Sequence, residues 1–234
     1  MKTFVIHVSD AFEREKHIKN ELKNRNLDIE FILKGDIKDL SEKILTHYFQ
    51  GNMKEIRGAV SCAYKHILAC EKVVNQKDDV VLILEDDIYC YSNFNNMLSK
   101  IQSEIKNRNL SNFIISIEDS TLRYIPRSKR KKGQYLYREN RTRTNVGFLI
   151  DKLAAQQILD AIKNVKVNRP IDLYYDKLVE KEKINMYWSQ PAMMCQGSID
   201  GSIKTLIGEK RLGFIRNTSY RLQKQYKRLL YFFR

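Results

Sequence analysis

The chain has 234 residues, 43% hydrophobic and 30% charged, with three prolines and nine glycines, a balance that excludes a low-complexity polymer and allows one sizeable core. No apolar run approaches the roughly 20 residues needed to cross a bilayer, and the opening "MKTFVIHVSD" lacks a secretory cleavage signature, so a cytoplasmic location is expected. The formal net charge of +14 points to anionic partners: nucleic acid, lipid headgroups or phosphorylated small molecules.

In chain order, β-branched and aromatic residues mark 3–9 as a strand. Asp10 and Glu13 have capping-box spacing, which predicts a helix to about residue 25. Residues 28–34 read as a second strand and 37–50 as helical. Gly58 opens a segment in which Ala59, Cys62, Ala63, His66, Ile67, Cys70, Val73 and Val74 recur at helical spacing. Val80 to Leu84 is a wholly apolar run, as expected of a parallel strand covered on both faces. A helix over 93–107 and a strand over 112–118 follow. Residues 123–143 hold nine basic residues and one acid, Glu139, and read as a mobile loop able to close over a ligand. A strand at 144–150, an amphipathic helix at 151–162, a helix with Pro170 near its first turn and a strand at 184–188 complete the pattern. The alternation predicts a single α/β domain over 1–205, Rossmann-like, with a mostly parallel central sheet flanked by helices. After Glu209 there is no acid, and 206–234 is expected to be a basic, amphipathic helical tail.

Cys62, Cys70, Cys90 and Cys195 form no CxxC pair and read as small buried apolar residues; no zinc site or disulfide framework is expected.

The apolar run drives straight into Glu85, Asp86 and Asp87. In open α/β sheets ligands bind outside the carboxyl ends of the strands. Three packed carboxylates raise one another's pKa, and a hard divalent cation, Mg²⁺ or Mn²⁺, relieves the conflict while holding phosphate oxygens.

The segments "GAVSCAYKHILACEKVV", "VVLILEDDIY", "TNVGFLIDKLAAQQIL", "RPIDLYYDKL" and "QPAMMCQGSIDGSI", in this order, resemble the bacterial lipooligosaccharide glycosyltransferases of family 25, β-galactosyltransferase-like enzymes related to those that modify collagen. The resemblance runs from Met1 to about Ser202 and implies a GT-A fold, a nucleotide-sugar donor, UDP-galactose in the first instance, and Mn²⁺ (or Mg²⁺). Glu85 and Asp87 then stand as the metal-facing pair and Asp86 as a contact to ribose or sugar. The family's Gly-Glu-Ile-Gly-Cys-x-x-Ser-His pattern keeps Gly58, Cys62 and His66 here, but Ala59, Ser61 and Lys65 depart from it. His66, Thr144, Asn145, Gly147, Gln196 and Ser198 become candidates for the donor site.

An inverting transferase needs a base for the acceptor hydroxyl. Asp172 is the first candidate, with Asp119 and Asp200 as rivals. Glucose, GlcNAc or GalNAc are alternatives to galactose. The acceptor is expected to be a surface saccharide, lipid-linked, with the tail resting on the anionic inner membrane face. A non-catalytic protein binding nucleic acid or anionic membrane would explain the charge but leaves the acids unexplained; no nucleic-acid motif is found and no nucleic acid is expected.

Overall fold

A computed structural model describes residues 1–200, 202, 203, 206 and 213–233, with side chains left undescribed at 200 and 213–217. Nine strands and eight helices are described: β1 (Lys2–Ile6), α1 (Phe12–Leu22), β2 (Asp28–Ile32), α2 (Glu42–Tyr48), α3 (Gly58–Val74), β3 (Val80–Glu85), β4 (Ile88–Cys90), α4 (Phe94–Asn107), β5 (Phe113–Ser116), β6 (Leu136–Glu139), β7 (Gly147–Asp151), α5 (Lys152–Asn164), α6 (Ile171–Glu180), β8 (Asn185–Ser189), β9 (Met194–Gln196), α7 (Gly197–Asp200) and α8 (Gly213–Phe233).

Seven strands form the central sheet in the order β2-β1-β3-β7-β5-β8-β6. Strands β2, β1, β3, β5 and β8 run in one direction; β7 and β6 oppose it. The expected α/β architecture with a mostly parallel sheet is what the chain adopts. The alternation inside β3 explains its unbroken apolar run. Val81 and Ile83 enter the core under α3, α5 and α6. Leu82 and Leu84 enter the core under α1 and α4. With helices on both faces, neither side of the strand meets water.

The path of the chain creates a crevice. The segment after β1 passes over one face as α1 and returns as β2; the next passes over the other face as α3 and enters β3 on the opposite side of β1. The carboxyl ends of β1 and β3 therefore sit at a switch point, where adjacent connections diverge and leave a ligand-sized opening.

Several expectations are corrected. Asp10 and Glu13 do not cap α1: its N-cap is Ala11, with no side-chain cap bond. The segment 37–50 is not one helix but a 3₁₀ turn (Ile37–Asp39) followed by α2, whose cap is Ser41 accepting from Ile44 N; a second 3₁₀ turn (Gly51–Lys54) follows. The segment 123–143 is not a free loop. Its β6 pairs antiparallel with β8, because Leu136 and Tyr137 are buried, as are Tyr124 and Ile125. A two-stranded sheet of β4 and β9 was not anticipated; it brings Gln196 opposite Ile88.

The tail helix α8 packs back on the domain. Lys224 Nζ and Arg228 Nη2 reach the Asp119 carboxylate at 2.8 and 3.2 Å, Tyr220 OH donates to Ser120 O at 2.9 Å, and Tyr231 meets Tyr124 edge-on. Leu222, Tyr226, Leu229 and Phe233, at helical i, i+4, i+7, i+11 spacing, are exposed instead. Among the described residues no helix is long and apolar enough to cross a membrane.

Candidate active site

A cleft of about 840 Å³ opens at the switch point. Its walls come from the ends of β1 (His7, Asp10), the turn after β2 (Asp36, Lys38), the first turns of α3 (Ser61, Cys62), the acids after β3, and Gln196 and Ser198 after β9. Of the sequence-predicted residues, Glu85, Asp86, Asp87, Gln196 and Ser198 meet here.

The three acids have different surroundings. Asp86 is buried, accepting from Arg14 Nη1 at 2.6 Å and lying 2.7 Å from His7 Nδ1. That carboxylate is clamped on both oxygens. Asp87 is also buried but poorly supplied. Gln196 Nε2 donates to its Oδ2 at 3.2 Å, Arg14 Nη2 stands 3.7 Å away, and Oδ1 has no partner. Burial and then the neighbouring Glu85 charge push Asp87 up to about 6, against a lowering bond from Ser198 and the Arg14 charge. Glu85 is the most exposed of the three, with His66 Nε2 at 3.4 Å and Cys62 Sγ at 3.7 Å from its Oε1. Burial, followed by Glu85 itself, pushes the Cys62 thiol well above its usual range, with smaller contributions from Asp172 and Asp87.

Two donor sets could hold a cation. Glu85 and Asp87 both offer hard oxygens to the cleft, and one Asp87 oxygen is buried without a partner. That chemistry fits Mn²⁺ or Mg²⁺. Cys62, His66 and Glu85 bring one thiol, one imidazole and one carboxylate atom within 4.8 Å of each other.

Lys65 explains why this chain tolerates a departure from the family pattern. Its side chain is buried, and its ammonium donates to the carbonyls of His7 and Leu33 at 2.8 Å and of Ile32 at 3.2 Å. It pairs with Asp36 at 2.9 Å. Burial works against the Asp36 charge, but Ser9 and Lys65 outweigh it and hold the carboxyl below its usual range. Lys65 thus ties the carboxyl ends of β1 and β2 to α3 and shapes the cleft wall.

Other predicted residues lie elsewhere. His66 is fully buried behind Glu85, stacked on Phe148 with centroids 5.9 Å apart, and does not line the cleft. Thr144 N donates to Glu118 Oε1 at 2.8 Å; Thr144 Oγ1 and both amide atoms of Asn145 are buried without partners, yet neither residue lines the cleft. Gly147 has no role facing the cleft. A Cβ there would stand 2.3 Å from Met194 Sδ, so glycine serves the packing of β9 on β7. Asp172 lies on the first turn of α6, half-buried, with Oδ1 accepting from Leu173 N at 2.9 Å.

Asp119 is corrected as a candidate base. It is buried 1% exposed, and Tyr91 OH, Tyr124 OH, Lys224 and Arg228 all converge on it. Burial opposes its charge, but Lys224 first among these groups holds it below the usual carboxylate range. Its oxygens are spent on anchoring α8. The Asp200 side chain lies outside the described residues.

His7, Arg14, Asp36 and Cys62 were not singled out as site residues. His7 carried a signal: it directly follows β1, an interior strand of the sheet, and the carboxyl-end rule places ligands there.

No curated protein sequence matches the chain. Among solved structures, the crystal structure of A197 from STIV is similar over 90% of this chain and 97% of that one, at 10% identity and a TM-score of 0.40. The sequence profile of glycosyltransferase family 25 (LPS biosynthesis protein) matches residues 1–179. That span carries β1 to β7, all but the last residue of α6, and the whole acid triplet with the arginine and histidine that clamp it. The chain belongs to glycosyltransferase family 25 and is a glycosyltransferase of LPS biosynthesis.

Proposed function

We propose that the chain is a metal-dependent, inverting hexosyltransferase that moves galactose from UDP-galactose to a bacterial lipooligosaccharide or lipopolysaccharide acceptor. The observation that carries this reading is Asp87: a buried carboxylate at the switch-point cleft with one oxygen unpartnered, raised to about 6 by burial and by Glu85. Such a pair is unfavourable alone and becomes favourable around a divalent ion. Glu85 and Asp87 would hold Mn²⁺ or Mg²⁺, which supplies Lewis acidity toward the departing diphosphate.

The chain's own residues account for the remainder. Arg14, held in place by Asp86, presents a second positive charge to the donor phosphates. Gln196 and Ser198 orient Asp87 and line the same wall. Asp172 is the proposed base. Its charge is felt at Cys62 on the cleft wall, and its Oδ1 accepts from Leu173 N within its own turn. Thr144 Oγ1 and the Asn145 amide, buried without partners behind the cleft, would contact the donor only after a rearrangement.

Residues 206–234 act in this reading as an appendage to the 1–205 transferase domain, working on the cytoplasmic side of the inner membrane. The outward stripe Leu222, Tyr226, Leu229 and Phe233 lies on a helix that holds Arg221 and Lys227 and no acid. A basic helix with an apolar outer face suits an anionic membrane surface carrying a lipid-linked acceptor.

The test is donor hydrolysis. With Mn²⁺, UDP-galactose should release UDP slowly, chelation should stop it, and Asp87→Ala should reduce it by at least about a hundredfold. UDP release indifferent to both chelation and the substitution would overturn the metal assignment. Thermal stabilisation by UDP-glucose or UDP-GlcNAc in place of UDP-galactose would reassign the sugar.

A further inference from the structure

We propose that Cys62, His66 and Glu85 form a second cation site, selective for Zn²⁺-like borderline-soft ions, which shares Glu85 with the donor's cation and thereby makes the transferase zinc-sensitive. The expectation of no zinc site rested on cysteine spacing alone; the missing ligands are a histidine one turn along α3 and a carboxylate from β3.

The geometry matches such an ion. Cys62 and His66 are i, i+4 on one face of α3, and both side chains point at the same oxygen, Glu85 Oε1. A tetrahedral Zn²⁺ with bonds of about 2.0–2.1 Å to N and O and about 2.3 Å to S spaces its N and O ligands by roughly 3.3 Å and its S and O ligands by roughly 3.5 Å. The corresponding distances are 3.4 and 3.7 Å. All three ligand atoms fall within 4.8 Å of one another. The third edge, Cys62 Sγ to His66 Nε2, lies within 4.8 Å and would close toward roughly 3.5 Å as the ion enters.

The ligands are also preorganised. His66 is fully buried, sandwiched by stacking on Phe148 and an edge contact to Tyr175. Its Nδ1 has no hydrogen-bond partner, so the rings fix its orientation and Nε2 is the atom presented. Cys62 and Glu85 both reach the cleft, which leaves a fourth position for water and a path of entry. Three protein ligands with one open position is the pattern of an exchangeable rather than a structural zinc. Thiolate and imidazole select Zn²⁺ over Mn²⁺ and Mg²⁺, whereas the oxygen pair Glu85 and Asp87 does not discriminate in that direction. A soft ion seated here draws Glu85 toward α3 and away from Asp87. Binding releases the thiol proton to solvent as the sulfur–metal bond forms, with no redox change.

The consequence for catalysis rests on the donor-site reading; the site itself does not, and its test uses no donor. The full chain, reduced and stripped with chelator, is titrated with Co²⁺ while the near-ultraviolet thiolate-to-cobalt charge-transfer band is followed. The expected result is a band that saturates at one equivalent, is displaced by Zn²⁺ but not by excess Mn²⁺, is lost in Cys62→Ser, and needs at least about tenfold more Co²⁺ in His66→Gln. In parallel, Zn²⁺ should slow alkylation of Cys62 in the unsubstituted protein at least tenfold, read by mass spectrometry, which requires no variant to fold. Absence of the band, its persistence in Cys62→Ser, or unchanged alkylation of Cys62 would overturn the site. If the band appears as expected but Zn²⁺ leaves Mn²⁺-supported UDP release unaltered, the sharing of Glu85 is wrong. If UDP release itself is absent, the donor reading fails while the zinc site stands.

Discussion

Replacing Asp87 by asparagine removes a negative charge from a place where the fold does not want one. The folded carboxyl titrates at about 6 against a reference value of 3.8. At about 1.4 kcal/mol for each tenfold change in proton affinity, the ionised form costs on the order of 3 kcal/mol. The sign follows from which state ionises first. Below about pH 4 both folded and unfolded chains hold the proton and there is no cost. As the pH rises toward about 6 the unfolded chain gives up its proton first, and stability falls; above that the full cost is present. Asp87→Asn has no such loss and keeps a carbonyl for Gln196. With the metal chelated at about pH 7.5, the variant should be more stable than the parent by roughly 3 kcal/mol, or about 6–10 °C in melting temperature for a chain of this size.

Differential scanning fluorimetry in chelator, across about pH 4 to 8, reads this directly. The gap between variant and parent should shrink steadily as the pH falls. Excess Mn²⁺ should raise the parent's melting temperature and leave the variant's unchanged, so metal and mutation remove the same penalty by different means. UDP release should be lost in the variant, which places Asp87 among groups where activity and stability trade against each other. A variant less stable than the parent at about pH 7.5 in chelator, or a gap that ignores pH, would refute the claim that Asp87 is a frustrated charge.

Lys65→Met should destabilise the chain by about 3–5 kcal/mol in urea unfolding, because it leaves Asp36 as an uncompensated buried charge. Asp119→Asn should loosen α8: hydrogen exchange across 218–233 should speed by about 30- to 150-fold, for the roughly 2–3 kcal/mol carried mainly by the partly buried Lys224 contact. The Asp119 carboxyl is held below its usual range, so this anchoring is complete above the ordinary carboxylate pKa and is lost only as the pH falls through the lowered value. Asp172→Asn should lower kcat by about 10²- to 10⁴-fold with little change in the KM for the donor, measured as transfer to a saccharide acceptor; unchanged turnover would move the base elsewhere.

Local patterns were readable where a segment's burial depends on its own period. Val80–Leu84 declared a two-sided strand because alternate residues face two cores. The helices α3 and α5 declared themselves by a 3.6-residue stripe. Strand β6 was hidden because only Leu136 and Tyr137 face inward, within a run of cations that reads as solvated. Its partner, β8, is nearly fifty residues away, and no local period reports such a pairing. The clamp on Asp86 was invisible for the same reason: His7 and Arg14 are 79 and 72 residues from it. Only the sheet order β2-β1-β3 joins them. Asp10 shows how a local signal misleads. Its spacing to Glu13 fits a capping box, but the chain turns one residue later, at Ala11, and Asp10 lines the cleft instead.

The triplet itself shows why neighbouring identical charges need not do the same work. Glu85 ends β3 while Asp86 and Asp87 lie in the turn that follows, so the three side chains leave strand alternation and enter three environments within three residues. Asp86 turns toward α1, pairs with Arg14 and lies 2.7 Å from His7 Nδ1, which fixes the arginine at the cleft mouth. Glu85 turns toward α3 and meets Cys62 and His66. Asp87 turns toward β9 and is left with one oxygen unpartnered. If all three were clamped as Asp86 is, the crevice would be a closed ion-pair network with nothing to offer a ligand. If all three were like Asp87, mutual repulsion would drive protons onto them and weaken their hold on a cation. Satisfying one acid fully is what allows its neighbour to remain charged and underused beside it, and that imbalance is the physical basis for binding an ion and a diphosphate at this spot.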